Sequence, residues 1–184
     1  VEQKQYDAAL AESEKMTAPG GTPSLETLKL RADIQIGANQ TDAAIATLQQ
    51  AIVLAPQDAQ LHGGLGRLYL GKRDFPNAEK EIKAAINLDK NNIVYWTDLS
   101  STYYLSGNCP ATLSALDLIA RVETPNAGAV FIRALCYDKL NQVLPALDAY
   151  KKFLELDQNR NADQVWQAEQ RIHVLEKKAQ TQKH

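Results

Sequence analysis

Few side-chain types can make bonds, hold a metal or cradle a phosphate, and this chain places them in patterns that serve none of those chemistries. His62, His173 and His184 are scattered, with no H-x-x-x-H or cysteine/histidine spacing, so no metal site is expected. Gly63, Gly64, Gly66 and Gly71 cluster as a phosphate loop might, yet they fall inside a stretch of helical apolar spacing, not between a strand and a helix. Their reading is close helix packing. The acidic pairs Glu79 with Asp89 and Glu155 with Asp157 fall on faces expected to be solvated. No nucleophile stands beside a base, so neither enzymatic activity nor a cofactor is expected. Cys109 and Cys136 remain as reactive groups. Whether they meet depends on the elements that carry them.

Those elements recur at a period of 34 residues, without insertion or deletion. Ala44 aligns with Ala78, Thr112 and Ala146; Leu48 with Ile82, Leu116 and Tyr150; Ala51 with Ala85, Ile119 and Phe153; Ala32 with Gly66, Ser100 and Ala134. A fixed period in this range marks a solenoid, in which each unit buries its apolar face only by stacking on a neighbour. The prolines agree with the register. Pro56 and Pro125 close units, and Pro76, Pro110 and Pro145 fall in the first turn of second helices, where the missing N–H has no intrahelical partner anyway. Pro19 and Pro23 separate an opening helix from the first full unit. Apolar residues at i, i+3, i+4 and i+7 make each unit helix, turn, helix. Gly107 supplies a left-handed helix end after Trp96, Leu99 and Tyr103.

The organisation expected is an N-terminal helix, a partial repeat, over 1–20. Four repeats follow at 25–58, 59–92, 93–126 and 127–160, and then a C-terminal capping helix and tail over 161–184. Val165, Ala168, Ile172 and Leu175 form the apolar stripe of that last helix, with Glu169, Arg171, Glu176 and Lys177 outside it and Asn161 or Asp163 as its cap. Residues from Gln180 onward are expected to fray. The chain opens on Val1, which suggests a trimmed start, and its first residues show no signal-peptide pattern.

Cys109 begins the third unit's second helix, and Cys136 lies late in the fourth unit's first helix. Antiparallel neighbours bring the start of one near the end of the other, and a disulfide needs Cα atoms within about 7 Å. Two readings stay open. A bridge implies a periplasmic or secreted protein; two buried thiols acting as small apolar residues imply a cytoplasmic one.

The pattern Trp96, Leu99, Ser100, Tyr103, Gly107, with Leu65, Gly66, Tyr69, Phe75, Ala78 and Ala85 one unit earlier, resembles the tetratricopeptide repeat family, and a bacterial source is expected. Arg31, Arg133 and Gln35 depart from it. The resemblance implies an all-α, right-handed superhelical solenoid of antiparallel helix pairs whose first helices line a concave groove. It implies a protein-binding or peptide-binding scaffold. On the family's groove positions, the residues facing a bound segment are Lys29, Asp33, Arg67, Leu70, Thr97, Ser101, Tyr104, Leu105 and Asp138. Lys29 and Arg67 would anchor it, while Asp33 and Asp98 would repel the terminal carboxylate that some family members grip. Phe131, Ile132 and Leu135 are expected to be covered by Val165, Trp166 or Ile172.

With 20 basic and 22 acidic residues, the chain lacks the basic footprint of a nucleic-acid binder. No apolar run approaches the roughly 18 residues of a membrane span. The partner expected is a protein or peptide of unknown identity. Self-association through the N-terminal edge, or service as a helical appendage of a larger enzyme or secretion complex, are the alternatives.

Overall fold

Ten helices carry the described residues, which are 2–16 and 21–181 of the computed structural model; Pro19 and His184 lie outside them. The helices are α1 (Glu2–Lys15), α2 (Leu25–Gly37), α3 (Thr41–Leu54), α4 (Ala59–Gly71), α5 (Phe75–Leu88), α6 (Ile93–Leu105), α7 (Cys109–Ile119), α8 (Ala127–Lys139), α9 (Val143–Asp157) and α10 (Ala162–Thr181). No strand occurs among the described residues. The chain divides into two compact units, 1–95 and 96–184, with the division inside α6.

Helix starts are set locally. Ser24, Asp58, Asp74, Asn108 and Asn126 precede five helices and accept backbone N–H groups that have no intrahelical acceptor. The turn inside each helix pair is also repeated. Asn39, Arg73, Gly107 and Asn141 all have positive φ (57°, 60°, 80° and 59°), spaced by one period. In each, the next amide bonds back to a carbonyl in the last helical turn: Gln40 to Gln35, Asp74 to Tyr69, Asn108 to Tyr103 and Gln142 to Tyr137, all at 2.8–2.9 Å. This closes the first helix and starts the second in one geometry. The sequence advertises it at Gly107, where glycine is free to adopt φ > 0.

The small residues in register are where helices touch. Ala44, Ala78, Thr112 and Ala146 have no exposed surface, and Ala32, Gly66, Ser100 and Ala134 are buried as well. In the first unit, Leu28, Ala32, Leu48, Ala51, Leu61 and Leu65 form a continuous core. Helix α4 approaches its neighbours through glycine. A Cβ on Gly66 would lie 2.6 Å from Ile82 Cγ1, and one on Gly63 would lie 2.4 Å from Tyr95 Cε1. Of the four glycines expected to serve close packing, Gly63 and Gly66 do so, whereas a Cβ on Gly64 would meet only Leu48 Cδ1 at 3.6 Å and one on Gly71 nothing within 4 Å. Gln35, where the family pattern has tyrosine, is buried and accepts a 2.7 Å hydrogen bond from Thr47 Oγ1.

The second unit has an aromatic core. Phe131 meets Tyr150 edge-on at 6.1 Å between centroids and Phe153 at 4.7 Å, and Val165, Ala168 and Leu175 of α10 close over them. Phe131 is buried, with Leu135 and Ile172 partly so, but Trp166 is 65 % exposed. Ala168 stands one further period after Ala134 and is fully buried, so α10 packs as another first helix would. Helix α10 runs through Thr181, beyond the fraying expected from Gln180. Asn161 does not cap it with its side chain; that side chain and its amide donate to Asp157.

Candidate peptide-binding cavities

Two concavities form on first helices, one in each unit. In the first unit, Lys29, Asp33 and Ile36 of α2 face Gln60, Leu61, Gly64, Arg67 and Leu68 of α4 across a cavity of about 360 Å³, floored by Leu48 of α3. The expected residues Lys29, Asp33 and Arg67 therefore meet. Leu70 does not line it.

The cavity's electrostatics are more closed than the sequence implies. Lys29 Nζ lies 2.6 Å from Asp58 Oδ2, so this cation joins α2 to the cap of α4. That bond, helped by the amides of Gln60 and Leu61, holds the Asp58 carboxyl below its ordinary value. Asp58 at the start of α4 thus has two tasks: accepting helix amides and neutralising Lys29. Nothing in local spacing foretells it, because the two residues meet only after folding. Arg67 donates to the Gly63 carbonyl at 3.4 Å and remains exposed at the rim. Asp33 is exposed opposite.

The second unit's cavity, about 600 Å³, is lined by Tyr104, Leu105, Gly107, Cys109, Leu135, Asp138, Lys139 and Arg171. Thr97 and Ser101, though on α6, line neither cavity. Asp138 is committed within the protein. Arg171 forks onto it, Nε to Oδ2 at 2.7 Å and Nη2 to Oδ1 at 2.8 Å, and Tyr150 donates its hydroxyl to Oδ2 at 3.2 Å. Burial first, and the adjacent carboxylate second, push the Tyr150 hydroxyl well above its ordinary value, so it stays a donor. Arg171 was expected outside the apolar stripe of α10. It lies three residues after Ala168 and four before Leu175, and that i, i+3, i+4 relation is the signal that places it on the buried flank.

The remaining chemistry-bearing residues are structural. His62 is held between Glu81 Oε2, 2.7 Å from Nδ1, and the Pro56 carbonyl, 3.1 Å from Nε2. It fastens the α3–α4 connection to α5. Asp157, expected on a solvated face, is buried and binds Asn161. No group of three His, Cys, Asp or Glu side chains capable of holding a metal occurs among the described residues. Nor is any described helix long and apolar enough to cross a membrane.

The tetratricopeptide repeat family model matches residues 35–99, which hold α3, α4, α5 and the first half of α6. Residues 35–99 thus match the tetratricopeptide repeat family, and the helix pairs on either side keep the same 34-residue register. Similar solved structures carry the same solenoid fold. A crystal structure of MamA is 19 % identical, with a TM-score of 0.75 over 86 % of this chain and 92 % of that one. YrrB, described as a tetratricopeptide repeat protein with an unusual peptide-binding site, is 18 % identical, with a TM-score of 0.70 over 93 % and 84 %. Pseudomonas aeruginosa pilF is 17 % identical, with a TM-score of 0.64 over 90 % and 72 %. No curated protein matches the sequence.

Proposed function

We propose that this protein is a non-enzymatic interaction scaffold that holds an extended peptide segment of a partner protein between α2 and α4. The observation that carries the reading is the cavity itself. It is bordered by Ile36, Leu61 and Leu68 for an apolar side chain, and by Asp33 and Arg67 for polar groups of either sign. Apolar lining with a few placed polar groups is the usual make-up of a recognition site. Peptide recognition of this kind places alternate side chains in pockets and leaves the backbone to polar groups at the rim. Lys29, paired to Asp58, and Arg67, exposed at the rim, are the cations that border this cavity. The peptide-binding site described for YrrB, on a similar fold, is consistent with this use.

Gly64 provides the test. It lines the cavity, and a Cβ added there meets only Leu48 Cδ1, at 3.6 Å, so a large side chain can fill the space without disturbing the helix. Peptides selected from a displayed random library on the parent protein should bind Gly64→Phe at least about tenfold more weakly by fluorescence anisotropy, a loss of about 1.4 kcal/mol. The variant's melting curve should not fall. Selected peptides that bind parent and variant alike would remove the cavity from the mechanism.

A further inference from the structure

Cys109 and Cys136 lie on different repeats, on two helices that pack together. Cys109 is the first residue of α7, and Cys136 is near the end of α8, which packs against it. Both are free and buried, at 3 % and 0 % exposure, and Cys109 is close enough to raise the Cys136 thiol. They are not equivalent. Cys109 lines the second unit's cavity with Tyr104, Leu105 and Lys139, whereas Cys136 does not. Two neighbouring buried thiols, of which Cys109 alone lines the cavity, have the arrangement of an attacking and a resolving sulfur.

We propose that Cys109 and Cys136 form a thiol pair that a small external disulfide converts into an intramolecular bridge, with Cys109 reacting first. In the first step Cys109 gives its proton to solvent and its sulfur attacks one sulfur of R–S–S–R. A Cys109–S–S–R bond forms, and RS⁻ departs and takes up a proton. In the second step Cys136 loses its proton and attacks the Cys109 sulfur, releasing the second RS⁻. The sum is two cysteine thiols plus R–S–S–R giving one protein disulfide and two R–SH. Burial first, and the neighbouring Cys109 second, push the Cys136 thiol up to about 12, so it stays protonated and is not the sulfur that attacks first. The bridge would tie α7 to α8 at the cavity that also holds Leu105 and Asp138.

The test uses the full chain, purified reduced and then equilibrated with glutathione disulfide and glutathione, quenched in acid and read by intact mass. The expected product has lost two hydrogens. Trypsin should then release residues 91–121 and 134–139 as one disulfide-linked species. Closure should be favoured over the same chain in concentrated urea by at least about tenfold in equilibrium constant, because the fold already holds the sulfurs together. Cys136→Ala should stop at a single glutathione adduct on Cys109. Should that variant fail to fold, the parent's intact mass and peptide map decide alone. A stable adduct on both cysteines, disulfide-linked dimers, no loss of thiols, or closure no better than in urea would each overturn the proposal.

Discussion

Replacing Gly66 by alanine puts a methyl carbon 2.6 Å from Ile82 Cγ1, with the Ile82 amide nitrogen at 3.1 Å and the Ala78 carbonyl at 3.4 Å beyond it. Carbon atoms rest about 3.5–4.0 Å apart, so roughly an ångström of movement is needed. Ile82 is fully buried and cannot yield into solvent. Helix α4 must therefore back away from α5, and overpacking of this kind costs about 1–3 kcal/mol. Against it stands the gain of about 0.8–1.0 kcal/mol when a helical glycine becomes alanine. Gly64, two residues away in the same helix, separates the two effects, since its added Cβ meets only Leu48 Cδ1 at an ordinary 3.6 Å. Propensity cancels in the comparison, leaving Gly66→Ala below Gly64→Ala by the packing cost of about 1–3 kcal/mol. At a urea slope of about 1–3 kcal/mol/M, the midpoints followed by circular dichroism should differ by roughly 1 M. Gly63→Ala should sort with Gly66→Ala, because the Tyr95 ring it strikes is itself buried. If Gly66→Ala melts at or above the midpoint of Gly64→Ala, the close α4–α5 approach is not what fixes the glycine.

Gly107→Ala should destabilise by about 1 kcal/mol in the same titration, because φ is +80° there and an alanine side chain disfavours it; an unchanged midpoint would argue against that turn geometry. Arg171→Met leaves the Asp138 carboxylate partly buried with only Tyr150 as donor, and should lower stability by about 1–2 kcal/mol after allowance for solvent screening at the half-exposed guanidinium. Double-mutant analysis with Asp138→Asn should recover part of that loss. Asp157 titrates low in the folded chain because the Asn161 side chain and amide donate to it. Its contribution is therefore complete above the ordinary carboxylate value of about 3.9 and is lost as pH falls through the lower folded value. Asp157→Asn should flatten the acid limb of melting temperature against pH; an identical limb in parent and variant would refute this.

The repeat was legible because its small residues are used identically in every unit: Ala32, Gly66, Ser100 and Ala134 are each buried at a helix contact. The turns were legible only at Gly107, since Asn39 and Asn141 are common elsewhere and Arg73 gives no hint of a left-handed backbone. Arg73 has its own support there, with its guanidinium 5.7 Å above the Phe75 ring. At the cavities, the positions of Lys29, Asp33, Arg67, Tyr104, Leu105 and Asp138 follow from the groove positions that the family resemblance implies, but their pairings do not. Lys29 meets Asp58 across 29 residues, and Arg171 meets Asp138 across 33. Such partners are chosen by how helices stack, which periodicity constrains without naming the side chains that end up adjacent. Trp166 is the converse case: of Val165, Trp166 and Ile172, the three residues that could cover the last repeat, it stands exposed while Val165 is buried.

The four left-handed turns also bear on how the chain comes to be made. Each closes a helix pair through hydrogen bonds between residues only five apart, and the buried small residues of a pair meet within one period of 34 residues. Helical contacts of such short sequence separation form in microseconds to milliseconds. Synthesis adds about 5–20 residues per second. A unit therefore spends seconds emerging from the ribosome and a small fraction of that time closing its turn, so each helix pair is ready to stack as soon as the neighbour that covers its apolar face emerges.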